Sequence, residues 1–120
     1  MTRARETANL LTTQSVTGNI NLSGIVTATD FDSSSDSSLK TDVRKVENAL
    51  DLVTNLEGVK FTWISDNKPS VGVIAQQIEE YIPELVHTGD HKSVNYNGLI
   101  GILIEAVKEL KSEVDQLKSK

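Results

Sequence analysis

Ser35 and Lys40 stand five residues apart in Ser35-Asp36-Ser37-Ser38-Leu39-Lys40, between two stretches of different character. A serine hydroxyl becomes a nucleophile when a neighbouring base takes its proton. A lysine amine serves as that base only when neutral, which requires desolvation or a nearby positive charge to depress its pKa. A Ser/Lys pair at a segment junction therefore points to a chain that cuts itself there. The pair lies in a polar run, Asp32 to Ser38, of the kind that forms exposed loops. Asp32 and Asp36 flank the proposed cleavage loop and are read as hydrated rather than as groups that orient Lys40.

Upstream, residues 1–34 contain no proline, no tryptophan and no long apolar run. Gly18 to Ala28 alternates at Ile20 and Leu22 and is reset at Gly24, which reads as short strands joined by tight turns. Such strands cannot bury a face alone and have to pack against copies of themselves. Residues 1–34 are therefore expected to be the end of a β-structured fibre stalk.

Downstream the pattern is that of a small α+β domain. Asp42 is positioned to cap a helix with apolar residues Val43, Val46, Leu50 and Val53, ended by Gly58. Val59 to Ile64 alternates as a strand, closed by Ser65-Asp66-Asn67-Lys68-Pro69. Val71 to Ala75 reads as a short buried strand or the passage into a helix, and Gln76 to Ile82 as a short helix stopped by Pro83. Leu85-Val86-His87 and Ser93-Val94-Asn95-Tyr96 form a hairpin pattern around Thr88-Gly89-Asp90.

The final segment is the most periodic, and a helix is expected over about 97–119. Ile100, Val107 and Val114 recur every seven residues, and Leu103, Leu110 and Leu117 follow each by three. That is an a/d seam over about three heptads, with Glu113 and Lys118 placed to pair between parallel chains. β-Branched a with leucine d leans towards two strands, although the rest of the chain can impose three.

Composition narrows the function classes. With 120 residues, 38% hydrophobic and 4% aromatic, the chain has a thin core, for which oligomerisation is a common remedy. A net charge of −5 and a pI near 4.9 argue against phosphate-backbone binding. No cysteine is present for disulfides or thiolate metal sites, and no apolar run approaches the roughly 20 residues of a membrane span. The N-terminus, Met1 to Glu6, has no apolar core behind its charges and is not a secretory signal. His87 and His91 straddle Gly89 and read as solvated loop histidines rather than metal ligands. Phe61 and Trp63 read as core and strand-face packing. Glu79, Glu80 and Glu84 read as a solvated helix face, and Gly72 has no partners for a phosphate loop. No cofactor, metal, nucleic acid, membrane or small-molecule ligand is expected.

Five ordered blocks carry a family resemblance: Ser35-Asp36-x-x-Leu39-Lys40, Gly72-Val73-Ile74-Ala75-Gln76-Gln77, Pro83-Glu84-Leu85-Val86, Val94-Asn95-Tyr96-x-x-Leu99 and Glu105-Ala106-x-Lys108-Glu109-Leu110. Together they resemble the intramolecular chaperone auto-processing domain at the C-terminus of phage tailspikes, endosialidases and tail fibres, over residues 35 to about 117. The resemblance implies a homotrimer, with residues 35–120 as the chaperone and the chain's own N-terminal fibre segment as substrate. It implies Ser35 as nucleophile and Lys40 as general base of a single-turnover serine endopeptidase, with Ser35–Asp36 the favoured scissile bond. The C-terminal helices would form a trimeric coiled-coil-like bundle. Such a protein would assemble in the bacterial host's cytoplasm and reside in a virion tail fibre or tailspike, its chaperone released after cleavage. The sequence departs from the family at Ser38, where an arginine is usual, and at Asp42, where asparagine is common. The alternative is a trimeric fibre tip that keeps the domain without the cut, and a third reading is an unrelated α+β adaptor with a coiled-coil tail.

Overall fold

The computed structural model describes residues 15–120 and divides into two units, one through Leu39 and one from Lys40 to Lys120. In the first unit, residues 15–36 form neither helix nor strand, and a single 3-10 turn follows over Ser37–Leu39. Ile20, Leu22 and Ile25 are exposed, so the alternating run buries no face within one chain. The earlier part of the expected stalk, residues 1–14, lies outside the described residues.

The second unit is mixed helix and strand, as the pattern predicts. Its helices are α1 (Ala49–Thr54), α2 (Ala75–Tyr81) and α3 (Tyr96–Lys118). Two antiparallel hairpins complete it: β1 (Val59–Thr62) with β2 (Pro69–Gly72), and β3 (Val86–Thr88) with β4 (Lys92–Val94). Val59 faces Gly72 and Thr62 faces Pro69 in the first; Val86 faces Val94 in the second.

The first helix is much shorter than its apolar spacing predicts. Asp42 (φ 52°) and Asn48 (φ 55°) are left-handed, a conformation that interrupts a right-handed helix, so Asp42 is no cap and the helix begins only at Ala49. It ends at Asn55, ahead of Gly58, where the Asn55 amide nitrogen donates to the carbonyl of Asp51 at 2.8 Å.

The remaining elements follow their local chemistry. Pro83 stops α2 and opens a 3-10 turn over Pro83–Leu85. Gln77 ties the approach to β1 onto α2, its Nε2 donating to the Asn55 carbonyl at 2.7 Å and its Oε1 accepting from the Glu57 N–H at 3.3 Å. Asn95 caps α3, accepting from the Asn97 N–H at 3.1 Å. Phe61 and Trp63 share a strand face and meet edge to face, centroids 4.9 Å apart. Trp63, just past the end of β1, is nevertheless 53% exposed, and Val71, on the opposite face of the hairpin from Phe61, is 70% exposed; neither belongs to the core. Glu79 pairs with Lys92 at 3.1 Å, so one of the three glutamates read as solvated is an ion-pair partner across to β4.

One core cluster holds the unit together: Ala49, Ile78, Ile82, Leu85, Ile102 and Ala106. Gly98 on the first turn of α3 allows it to close, since a Cβ there would overlap the Leu85 side chain. Gly98→Ala is accordingly expected to destabilise by ~1–3 kcal/mol through overpacking, against a helix-propensity gain of ~1 kcal/mol. Gly101→Ala, where nothing lies within 4 Å of the added carbon, gains the propensity alone. Urea midpoints of the two variants should move in opposite directions.

Candidate functional site

The junction is organised by Asp36. Its carboxylate accepts the Ser38 N–H at 2.8 Å and its carbonyl accepts the Leu39 N–H at 3.0 Å, closing the turn over Ser37–Leu39. The Ser38 N–H, assisted by the Ser38 hydroxyl, holds the Asp36 carboxyl below the usual carboxylate range. Asp36 is thus a turn residue rather than a simply hydrated one. Ser38, standing where the resemblance leads one to expect an arginine, supplies the donors to the Asp36 carboxylate and brings no cation. Ser35 precedes the turn on the first unit and Lys40 opens the second; both side chains are exposed.

From Lys40 to Asn48 the chain has neither helix nor strand. Val46 packs against the core, and Lys45 reaches α3. Lys45 Nζ is 3.5 Å from Glu105, whose side chain is only 14% exposed and which also pairs with Lys108 at 3.3 Å. One turn further, Glu109 accepts the Ala49 N–H at 2.8 Å and the Leu50 N–H at 3.4 Å. Asn48 gives α1 no side-chain cap, so this distant carboxylate satisfies the first turn instead. An open cleft of about 680 Å³ beside the segment gathers Arg44 and Lys45 with Asp42, Glu47 and Glu84, a mixture with no net preference for one sign of ligand.

The predicted seam lies on the other side of α3. Ile102 and Ala106 face the core at 6% and 3% exposure, whereas Ile100, Val107 and Leu117 are 56%, 63% and 68% exposed. Leu103, Leu110 and Val114 are exposed with them. The helix therefore docks on its own domain through one face and leaves the a/d face open. Ile104 widens that face: with Ile100, Leu103, Val107 and Lys108 it lines an apolar groove. Residues 111–120 are exposed throughout, and Lys111 pairs with Asp115 along the helix at 2.8 Å. No helix among the described residues is long and apolar enough to cross a membrane.

Three site-forming features escape the sequence patterns. Ile104 falls outside a strict a/d reading, although its apolarity next to Leu103 was the signal for a broader stripe. Glu105 and Glu109 are separated by one turn, but nothing local indicates that they reach residues 45–50. The close approach at Gly98 is likewise a tertiary property.

The family blocks acquire physical reasons from this geometry. Gly72 lies under the Tyr96 hydroxyl and the Phe61 ring, where a Cβ would sit 3.0 Å and 3.4 Å away. Leu85 is the core partner of Gly98, Asn95 is the α3 cap, and Glu109 is the α1 cap. Residues 35–87 match the family described as the chaperone of endosialidase, a model designated a peptidase, and the match begins at Ser35. Over these residues the chain belongs to the chaperone of endosialidase family. It is similar to long tail fiber protein Gp37 of Salmonella phage S16, 30% identical over 122 residues that cover 86% of this chain and 16% of that protein. It is 37% identical over 97 residues to long tail fiber protein Gp37 of Enterobacteria phages K3 and T2, covering 72% of this chain and 8% and 7% of those proteins. The chain thus spans a sixth or less of the length of these relatives.

The Asp36 turn can be tested by following side-chain carboxyl shifts against pH. Its midpoint is expected below the ordinary aspartate value, and Ser38→Pro, which removes the donor, should raise it. A carboxyl so depressed supports the turn above its free pKa, and the support is lost as pH falls through the depressed value. An unmoved midpoint in Ser38→Pro would show that the Ser38 N–H is not the cause.

Proposed function

We propose that this chain is the C-terminal chaperone of a phage tail fibre, which trimerises through α3, assists folding of the fibre segment before it, and releases itself by cleavage next to Ser35. The observation that carries the reading is the exposed apolar face of α3 in a chain whose family match starts at Ser35. A stripe broadened by Ile104 covers more of the helix circumference than contact with a single partner helix buries, which favours three copies over two. The protein would assemble in the host cytoplasm and stay with the virion tail.

The chemistry is acyl transfer. Neutral Lys40 takes the proton from Ser35 Oγ as that oxygen adds to a junction carbonyl carbon. The C–N bond breaks, the proton passes from the lysine to the departing amine, and water hydrolyses the resulting ester to a carboxylate and free serine. Ring size sets what each bond requires. Within one chain Oγ reaches the Ser34 carbonyl through a five-membered ring, but its own carbonyl only through a strained four-membered one. Cleavage of Ser35–Asp36, the bond the resemblance favours, therefore uses the hydroxyl of an adjoining copy. Since Lys40 is exposed on the single chain, burial on assembly is the step that frees its lone pair, which couples cutting to folding.

Mass spectrometry of the purified chain tests this directly. A fragment beginning at Ser35 reports attack within the chain, and one beginning at Asp36 reports attack between copies; Ser35→Ala and Lys40→Ala should each abolish it. A wild-type chain that stays full length through assembly and heating supports the structural fibre tip instead, a reading that the uncharged Ser38 favours. Assembly itself rests on the open face of α3. Val107→Asp is expected to convert the trimer to monomer by light scattering while leaving the helical signal in place, and to stop cleavage with it. Cleavage that is independent of concentration, with monomer cutting as fast as trimer, would refute the coupling.

A further inference from the structure

We infer that the β1–β2 hairpin is a second part of the assembly surface, and that Trp63 is covered there by another copy of this chain. This rests on the association through α3 proposed above. Tyr96 links the two. It stands seven residues before Leu103 and so takes the d position ahead of Ile100, which makes it the first layer of the seam. Like the rest of the seam it is exposed, at 53%. Its hydroxyl lies over Gly72, where the Phe61 ring also approaches, and Phe61 in turn meets Trp63. The apolar face of α3 therefore continues from Ile100 through Tyr96 and Phe61 to Trp63, none of them charged.

Two observations mark this surface as one built to be covered. No hydrophobic residue from Val59 to Gly72 belongs to the core cluster or packs against it, and a two-stranded hairpin is marginal on its own. Trp63 is nonetheless held in place. Its N–H donates to the Lys68 carbonyl at 2.9 Å, its carbonyl accepts the Asn67 N–H at 2.8 Å, and its ring is braced against Phe61. The turn between them uses the left-handed Asn67 and the Asp66 carboxylate, which accepts the Lys68 N–H at 3.1 Å. A large aromatic side chain fixed before a partner arrives loses little freedom on being covered, which suits it to anchor an interface. Continuity with the seam selects a second copy as the occupant, because association through α3 brings another chain to the Tyr96 layer beside the hairpin. Val71, on the opposite face of the hairpin, lies outside this surface.

Trp63 is the sole tryptophan, so its selectively excited fluorescence reports on this site alone. The full chain is compared with Val107→Asp, with mass by light scattering. In the assembled wild type the emission should lie at shorter wavelength, and acrylamide should quench it less, than in the monomeric variant. Trp63→Ala is expected to weaken assembly by ~10-fold or more, the scale of a tryptophan that anchors an interface, while Val71→Ala leaves assembly unchanged. Equal emission and quenching in trimer and monomer would overturn the inference and leave trimerisation standing. So would unchanged assembly in Trp63→Ala. A photo-crosslinking side chain at position 63 identifies the cover: adducts with residues 40–120 of another copy support the inference, and adducts with the fibre segment, residues 1–34, overturn it. If Trp63→Ala loses its helical signal, the fluorescence and the adducts decide. A monomeric wild-type chain would overturn association through α3 and this inference together, and light scattering alone recognises it.

Discussion

The unit from Lys40 to Lys120 depends on one helix that is apolar on two sides and packs its core through one of them. Along α3, Ile102 and Ala106 meet Ala49, Ile78, Ile82 and Leu85 and complete the core cluster. The contact is close because the residues at it are small: Gly98 admits Leu85, and Ala49 and Ala106 let α1 lie near α3. A core of this size leaves a small domain with little margin. The outer face carries the larger apolar side chains, and burying each further leucine, isoleucine or valine gains ~1.5 kcal/mol or more when burial is complete. Several such residues match the ~5–15 kcal/mol of an ordinary domain. Association through that face would therefore contribute to stability on the scale of folding itself.

The elements legible in the sequence are those governed by local chemistry. Pro83 ends α2 where its missing N–H requires, the second hairpin falls on either side of its turn residues, and α3 is within a residue of its expected bounds, whereas β2 begins at Pro69, inside the expected turn, and leaves Val71 exposed. The first helix is shorter than its pattern predicts because Val43, Val46, Leu50 and Val53 keep helical spacing through a segment that is helical only from Ala49. Periodicity does not register the left-handed turns at Asp42 and Asn48, nor the fact that the first turn of α1 is satisfied by Glu109, far along the chain. Trp63 departs in the opposite sense. Its aromatic, alternating context predicts burial, but β1 ends at Thr62 and Trp63 lies past it, exposed beside Phe61. The candidate residues of the junction were visible as residue types and spacing, whereas the attachment of their flanking segment is purely tertiary.

The two halves of the junction are held by different means. On the Ser35 side the turn is local: Asp36 captures the Ser38 N–H two residues on, an arrangement that needs no other part of the protein. On the Lys40 side the segment that follows meets α3 where Lys45 pairs with Glu105, and Glu109 then satisfies the first turn of α1. Ser38 fits this division, because its backbone and hydroxyl are committed to the serine side and add no charge that would perturb the lysine directly.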